Sequence, residues 1–154
     1  MANLDTTDRA ILHELQLDGR LSNVILAKRV NLSESACLRR VRNLEESKVV
    51  SGYAMLVDQT KAGFPTTVLV QISLDRQQRE DLEKFERAVA KIPQVMECYL
   101  MTGEADFLLR VVAADAADYE QCHTNFLTRL PGVTRVHSSF SLRTIVKKTE
   151  LPIR

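Results

Sequence analysis

The stretch 22-SNVILAKRVNLSESACLRRVRNLEES-47 decides how the N-terminal part of this chain folds. Ser22 and Ser33 each stand just before a run of regularly spaced apolar residues, where a serine side chain caps the start of a helix. Only 31-NLS-33 separates the two runs, which leaves room for a tight turn. Two helices joined by so short a turn are typical of a helix-turn-helix, a motif whose second helix enters the major groove of DNA.

The second of these helices has two faces of different chemistry. Cys37, Val41 and Leu44 recur at i, i+4 and i+7 and form a narrow apolar stripe. The opposite face is basic and polar, because arginine, serine and asparagine side chains are grouped there. Arginine offers a two-pronged donor to guanine, and serine and asparagine hydrogen-bond to phosphates or bases. We therefore predict DNA contacts for Ser33, Ser35, Arg39, Arg40, Arg42 and Asn43.

The distribution of charge supports this location. The net charge of the whole chain is only +1, which gives no general case for binding a polyanion. Residues 28–43, however, hold five basic side chains against one acid, whereas residues 63–154 hold 12 of each sign. An ordinary solvated helix would be neutralised along its length, and here Glu45 and Glu46 lie only at its end. The positive field is therefore confined to the helix-turn-helix region.

Other chemistries find little support in the sequence. The three cysteines, Cys37, Cys98 and Cys122, lie far apart without the Cys/His spacing of a zinc site, so we expect no metal. We find no nucleophile–base pairing and no phosphate-binding glycine loop, and so expect no catalytic residues and no cofactor. No apolar run approaches the ~18 residues of a membrane span, and the N-terminal residues lack a signal-peptide pattern. We expect a cytoplasmic protein with no membrane partner.

Further elements flank and follow the helix-turn-helix. The stretch 4-LDTTDRAILHELQLDG-19 predicts a first helix capped by Asp5. The stretch 49-VVSGYAMLVD-58 is rich in β-branched and aromatic residues and indicates a strand or small wing. Gly63 and Pro65 mark residues 58–65 as a linker.

The remainder of the chain alternates between strand and helix patterns. Its two halves correspond at an offset of 38, so that 91-KIPQV-95 matches 129-RLPGV-133. The repeated βαβ order predicts a ferredoxin-like domain. Strands are predicted over 66–74, 95–102, 106–113 and 133–146, and helices over 77–92 and 115–130. The predicted fold class is α+β, with an N-terminal (winged) helix-turn-helix domain over 1–57, a linker over 58–65 and a C-terminal ferredoxin-like βαββαβ domain over 66–154.

Such a sheet carries its two helices on one face and leaves the other face bare. Alternate strand residues face opposite sides, and our candidates for the bare face are Leu69, Leu109 and Phe140. A bare apolar sheet face predicts a dimer that packs sheet to sheet. The dimer would bring two helix-turn-helix units to two DNA half-sites.

The stretch 100-LMTGEADFLLRV-111 joins the two middle strands and has two interpretations. Gly103 allows a positive φ and a close backbone approach, so that backbone N–H groups there would meet a carboxylate, and Asp106 would meet an ammonium. Together these groups suit the two ends of an amino acid. The alternative is a plain hairpin in which Asp106 bonds turn amides, and the spacing alone does not separate the two.

With these residues in view, the chain resembles the Lrp/AsnC (feast/famine) transcriptional regulators of bacteria and archaea. The resemblance covers nearly the whole chain. It rests on 4-LDTTDRAIL-12, on 22-SNVILAKRVNLSESACLRRVRNLEESKVVSGY-53, on 103-GEADFLLRV-111 and on 130-LPGVTRVHSSFSL-142. One departure is that Glu34 and Ala36 stand where family members often have prolines, which puts the operator sequence in doubt but not the mode of binding.

The resemblance implies a regulator of double-stranded DNA that dimerises and often assembles into octamers, as a tetramer of dimers. It implies that a free amino acid binds between dimers, near the loop Met101–Asp106, with a neighbouring subunit contributing its last strand. The implied effector-binding residues are Leu100, Met101, Thr102, Gly103, Asp106, Ser138 and Ser139. The region 94–111 and the ending 148-KTELPIR-154 look most like members that control amino-acid catabolism, including branched-chain degradation.

Two rival functions use the same sequence features. An architectural DNA-compacting protein would need the same arginines and the same oligomer, but no effector. An amino-acid-binding enzyme on a ferredoxin-like scaffold would need catalytic groups, for which the sequence offers no positive case.

Overall fold

The computed structural model describes residues 4–153, which fall into two compact units. The first, which we call the helical unit, contains the described residues up to Leu56 together with those from Ile145 onward. The second, the sheet unit, is Val57–Thr144. This division differs from the predicted one, because the predicted linker groups with the sheet unit and the segment that begins at Ile145 groups with the helical unit.

Three helices form the helical unit, and each begins at the predicted cap. Asp5 accepts a hydrogen bond from the Asp8 amide at 2.8 Å, and the Asp8 side chain accepts from the Asp5 amide in return. Ser22 and Ser33 each accept from the amide three residues ahead, at 3.3 Å. The helices are α1 (Thr6–Leu17), α2 (Asn23–Arg29) and α3 (Glu34–Glu46).

The core of the helical unit is small and is built from all three helices. Cys37 and Leu44 of α3 are buried as the predicted stripe requires, and Val41 packs against them in part. At the turn between α2 and α3, Asn31 has a positive φ of 54°, a conformation that asparagine adopts more readily than most residues. The buried residues are Ile11, Leu12, Leu26, Ala27, Cys37 and Leu44.

The predicted strand over 49–58 is wrong. The structure assigns no strand to these residues; Val49 and Val50 instead pack on the helical core, and the Val50 amide bonds the Leu44 carbonyl. Farther along, Met55 and Leu56 are 85% and 74% exposed. β-Branched and aromatic residues form a strand only where a neighbouring strand pairs with them, and no strand among the described residues pairs with this segment.

The predicted linker is an ordered turn. The Asp58 side chain accepts from the Lys61 amide and its carbonyl accepts from the Ala62 amide, both at 2.9 Å. The Gln59 amide group donates to the Phe64 carbonyl at 2.7 Å and to the Thr67 hydroxyl at 3.0 Å. These bonds tie residues 58–65 to the first strand of the sheet.

The sheet unit has the predicted βαββαβ order. Its elements are β1 (Thr66–Leu74), α4 (Arg79–Val89), β2 (Val95–Leu100), β3 (Phe107–Ala113), α5 (Ala116–Asn125), a short 3-10 helix (Leu127–Arg129) and β4 (Val133–Phe140). The strands form one antiparallel sheet in the order β2-β3-β1-β4. The last strand is shorter than predicted, because the chain beyond Ser141 leaves the sheet and residues from Ile145 join the helical unit.

The core of the sheet unit lies between the sheet and its two helices. Val68, Val70 and Ile72 of β1 are fully buried, as their alternation predicts. On the neighbouring strand Phe107 stacks on Phe85 of α4, with ring centroids 4.2 Å apart.

The assignment of Leu109 and Phe140 to the bare face of the sheet is wrong. Leu109 lies opposite Val70 and is fully buried, and Phe140 lies opposite Val68. Directly opposed residues of an antiparallel pair share a face, so both side chains lie on the helix-covered side. The Phe140 ring contacts Tyr119 of α5, with centroids 5.2 Å apart. Of the three candidates, only Leu69 is on the open face.

The open face is mixed rather than apolar. Arg110 lies opposite Leu69 and pairs with Glu97 of β2 at 2.8 Å, and the Tyr99 hydroxyl donates to the same Glu97 at 2.9 Å. Leu108 lies on this face between Tyr99 and Gln71 of the neighbouring strands. A sheet-to-sheet dimer through this face would therefore have to satisfy polar groups as well as cover apolar ones.

Candidate functional site: the α3 surface and the β2–β3 loop

The exposed face of α3 carries two arginines that form no ion pair with any residue that the structure describes. None of the ion pairs among residues 4–153 involves Arg39 or Arg42, and both side chains are exposed. Ser35 and Asn43 are exposed on the same helix. Unpaired guanidinium groups beside small polar side chains form a surface that suits phosphate oxygens and base edges.

Arg40 is in a different position from the other two arginines. Its guanidinium lies 2.7 Å from a carboxylate oxygen of Asp5 and 2.8 Å from one of Asp8, at the N-terminus of α1. The backbone hydrogen bond from Asp8, followed by the bond from Arg40, lowers the pKa of Asp5. The hydrogen bonds to Asp8 and Asp5 likewise raise the pKa of Arg40. Arg40 therefore ties α3 to α1, and this geometry does not present it on the exposed face as the sequence predicted.

The start of α3 is fixed by polar groups of the turn. The Ser33 hydroxyl caps the helix and lies 3.3 Å from the Ser35 hydroxyl. The Asn23 side chain, from the first turn of α2, donates to the Glu34 carbonyl at 2.8 Å and so joins the beginnings of the two helices. Asn23 was not among the predicted residues, although its place directly after the Ser22 cap marks it as a polar residue of the first turn of α2.

The loop between β2 and β3 is a closed hairpin with an exposed tip. The Met101 amide donates to the Asp106 carbonyl at 2.8 Å, and the intervening Thr102 and Gly103 are exposed. Gly103 has a φ of 130°, and a side chain built there would meet no atom within 4 Å. The tip thus combines a backbone conformation that favours glycine with open space beside it.

Asp106 is buried and its carboxylate is already occupied. One oxygen accepts from the Leu74 amide at 2.7 Å and the other from the Gln77 side chain at 2.6 Å. These bonds join the β2–β3 hairpin to the connection between β1 and α4. They satisfy a side chain that is only 8% exposed, as a buried carboxylate requires. The Asp106 carboxylate therefore has structural partners within this chain, and these are not the turn amides of a plain hairpin.

The two serines of β4 face opposite sides of the sheet. Ser138 lies opposite Val70, on the helix-covered side, and its hydroxyl shares a hydrogen bond with the Tyr119 hydroxyl. Burial is the main cause of the raised pKa of Tyr119. Ser139 lies opposite Leu69 and is exposed on the open face. Tyr119 was not among the predicted residues, since a separation of 19 positions from Ser138 gives no local signal.

The loop and the serines are not brought together within one chain. The Asp106 backbone amide donates to the Ile72 carbonyl, whereas Ser138 lies opposite Val70 on the other side of β1. Two strand spacings and about three residues along the strand separate them, roughly 14 Å by ordinary sheet geometry. A site that uses both would need a second copy of the chain.

Leu100 belongs to a different surface. With Val89, Cys98 and Phe107 it lines a groove of about 330 Å³ between α4 and β2. Burial, assisted by Glu86, raises the pKa of the Cys98 thiol to about 11, so the thiol is protonated at neutral pH. Among residues 4–153, no group of acidic, histidine and cysteine side chains could hold a metal ion.

Two family models match most of the chain. The AsnC-type helix-turn-helix domain matches residues 4–45, and the Lrp/AsnC ligand binding domain matches residues 67–151. In addition, no helix among the described residues has the length and apolar character needed to cross a membrane.

Similar proteins agree with these matches over nearly the full length. The chain is 42% identical to the Bkd operon transcriptional regulator of Pseudomonas aeruginosa, covering 99% of this chain and 100% of the relative. It is 38% identical to the leucine-responsive regulatory protein of Escherichia coli K12, covering 99% of this chain and 93% of the relative.

Solved structures show the same fold. An AsnC family transcriptional regulator from Agrobacterium tumefaciens superposes with a TM-score of 0.93 at 37% identity. A transcriptional regulator from Neisseria meningitidis, solved as a complex with L-Met, gives 0.92 at 37% identity. Both comparisons cover 97% of this chain and of the other. The α+β fold class is thereby confirmed, and the family consists of transcriptional regulators rather than enzymes. This chain belongs to the Lrp/AsnC family of transcriptional regulators.

Proposed function

We propose that this protein binds specific DNA sequences through α3 and changes that binding when a free amino acid occupies the sheet unit. The observation that carries the first half is the pair of exposed arginines on α3, Arg39 and Arg42, which form no ion pair among residues 4–153. A bidentate arginine–guanine contact contributes about 1–3 kcal/mol of discrimination between bases. Ser35 and Asn43 add contacts to phosphates or bases, and Arg40 holds α3 in position.

The proposal of an amino-acid effector is supported by the matched ligand binding domain and by two relatives. One relative carries L-Met in its solved complex, and the other is named the leucine-responsive regulatory protein. In this chain the exposed tip around Gly103 offers a backbone surface for a carboxylate. The Asp106 carboxylate is less suited to an ammonium than the sequence analysis expected, because both oxygens already accept hydrogen bonds.

We further propose that the effector binds between copies of the chain. The separation of the loop from Ser138 and Ser139 within one chain supports this arrangement. A dimer through the open sheet face, and an octamer built as a tetramer of dimers, follow from the family resemblance. The controlled genes are proposed to serve amino-acid catabolism, on the resemblance of region 94–111 and of the C-terminal ending. Such a regulator acts with its DNA in the cytoplasm.

One experiment tests both halves of the proposal. DNA sites are selected from a random-sequence pool by the purified protein, and the affinity for the selected site is measured with and without each common amino acid. A selected motif and an affinity that changes with one amino acid are expected. Thermal unfolding checks direct binding, because a ligand at about 100 times its dissociation constant stabilises the protein by ~2.7 kcal/mol.

An effector-independent architectural protein is the second candidate, and the occupied carboxylate of Asp106 favours it. This candidate requires that selection yields no sequence motif and that no amino acid shifts the unfolding temperature. A clear motif together with no amino-acid response would retain the regulator and reject the amino-acid effector.

A further inference from the structure

The C-terminal segment, defined here as residues 145–153, follows the sheet unit in sequence but packs as part of the helical unit. Ile153 is partly buried against the core that α1, α2 and α3 form. By contrast, Ile145, Val146 and Leu151 are between 69% and 73% exposed. The attachment therefore depends on a short stretch near Ile153 and not on the whole segment.

A side chain of α1, Gln16, hydrogen-bonds this stretch. The Gln16 carbonyl oxygen accepts from the Leu151 amide at 2.7 Å, and the Gln16 amide nitrogen donates to the Leu151 carbonyl at 3.3 Å. The glutamine thus bonds both backbone groups of one residue, as a neighbouring strand would. No other polar side chain type except asparagine carries a donor and an acceptor in this arrangement.

Pro152, which follows Leu151, directs Ile153 towards the core. The Ile153 amide donates to the Leu151 carbonyl at 2.9 Å, which closes a three-residue turn centred on Pro152. Proline fixes its φ near the value that the central residue of an inverse γ-turn requires. Leu151 therefore offers its backbone groups to Gln16, and Ile153 places its apolar side chain on the helical core.

The chain consequently passes between the two units twice, after Leu56 and after Thr144. The second passage is short. Ser141 still bonds the Thr67 carbonyl of β1 at 2.9 Å, and Ile145 already belongs to the helical unit. Three residues lie between Ser141 and Ile145 and nine between Ser141 and Leu151, so one short covalent connection joins the end of β4 to the residue that Gln16 bonds.

We propose that the seat formed by Gln16 and the helical core is a docking site for the C-terminal segment of the same chain. Through this seat, changes at β4 reach the DNA-binding helices. The docking itself does not depend on the proposed function, whereas its regulatory role rests on it. Coupling of this kind requires that the effector favours one of two states, with the segment seated or released.

Docking is tested by hydrogen–deuterium exchange on the protein with both of its units present. Three forms are compared with wild type: Gln16→Ala, Gln16→Glu, and a chain that ends at Thr149. Gln121→Ala, which removes an exposed helical glutamine of the sheet unit, is the control. We expect α1 amides to exchange at least fivefold faster in Gln16→Ala and in the shortened chain, with β1 and β3 unchanged. Gln16→Glu keeps the acceptor for the Leu151 amide, so its α1 amides should exchange at a rate between those of wild type and Gln16→Ala. Unchanged exchange in α1 for both stronger variants would overturn the docking.

The regulatory role is tested by the same variants with L-methionine and L-leucine as probes. DNA affinity is measured with and without each amino acid, and thermal shift reports amino-acid binding separately. We expect Gln16→Ala to keep both the DNA binding and the thermal shift, while the change in DNA affinity caused by the amino acid falls below twofold. A response equal to wild type would reject the coupling. If wild type itself responds to no amino acid, the proposed effector fails and the coupling falls with it, whereas the exchange result still decides the docking.

Discussion

The α3 surface and the β2–β3 loop use charged side chains in opposite ways. On α3, Arg39 and Arg42 have no ionic partner among the described residues, so the protein maintains solvated charges at a surface that a ligand could neutralise. In the loop, Asp106 is buried and bonded to groups about 30 residues away in sequence. A charged side chain is therefore available to bind a ligand only where other groups of the fold have not already paired with it.

The largest expected effect is on stability, from Asp106→Ala. The substitution removes two hydrogen bonds to a buried carboxylate and leaves the Leu74 amide unsatisfied, which should lower the free energy of unfolding by about 3 kcal/mol. Urea denaturation, which reports the free energy of unfolding of the sheet unit within the protein, measures this change. Glu104→Ala, an exposed acid of the same loop, is the control and should change stability by less than about 0.5 kcal/mol. Similar values for both variants would show that Asp106 is not a structural residue, and its role would return to the effector.

The next effect is on DNA affinity, from Arg39→Ala and Arg42→Ala. Each should weaken binding to the selected site by about 10- to 100-fold, equivalent to about 1–3 kcal/mol, without a change in the unfolding temperature. Fluorescence anisotropy at fixed salt concentration measures it, because the phosphate part of the affinity depends on salt. Arg79→Ala on α4 removes an exposed arginine far along the chain and should leave the affinity unchanged. Full affinity in both α3 variants would reject this helix as the DNA-contacting element.

A third prediction distinguishes the contribution of the backbone of the β2–β3 loop from that of its side chains. Gly103→Ala forces a side chain into a positive-φ conformation, which should cost about 1–2 kcal/mol of stability even though open space surrounds the site. It should also weaken the thermal shift given by the effector. Thr102→Ala changes the same exposed tip without this strain and should do neither to a comparable extent. Equal thermal shifts in Gly103→Ala and wild type would remove the loop backbone from the effector site.

The smallest effect concerns the pairing of Arg40 with Asp5 and Asp8. Arg40→Met should lower stability slightly and weaken DNA binding less than Arg39→Ala, because Arg40 acts by holding α3. The pKa of Asp5 is lowered in the folded protein, so its stabilising contribution is present above its ordinary pKa of 3.8 and is lost as the pH falls below that value. Urea midpoints between pH 2.5 and pH 6 should show this loss in wild type and less of it in Arg40→Met. Equal loss in the two proteins would mean that the ion pair contributes nothing.

The parts of the fold that sequence could predict are those set by nearby residues. The caps Asp5, Ser22 and Ser33 fix the starts of three helices within a few positions, and strict alternation identifies β1. The α+β class follows from the order of these local patterns. The wing was wrong because strand propensity near Tyr53 had no neighbouring strand to pair with.

The parts that sequence could not predict depend on distant partners. Arg40 meets Asp5 across 35 positions, Asp106 meets Leu74 across 32, and Gln16 meets Leu151 across 135. The faces of Leu109 and Phe140 depend on strand register, which a single strand does not reveal. Spacing along a chain identifies which groups share a helix face, but it does not tell whether another element has already bonded them.

The seat of Ile153 on the helical core makes the sheet unit, in topological terms, an insertion between residues 56 and 145 of the DNA-binding unit. The contact between Gln16 and Leu151 joins two residues that are synthesised before and after the whole sheet unit. During synthesis, therefore, the helical unit remains without its final packing until the sheet unit has been made. A chain released before residue 145 would therefore have helices that lack the Gln16–Leu151 hydrogen bonds and the packing of Ile153.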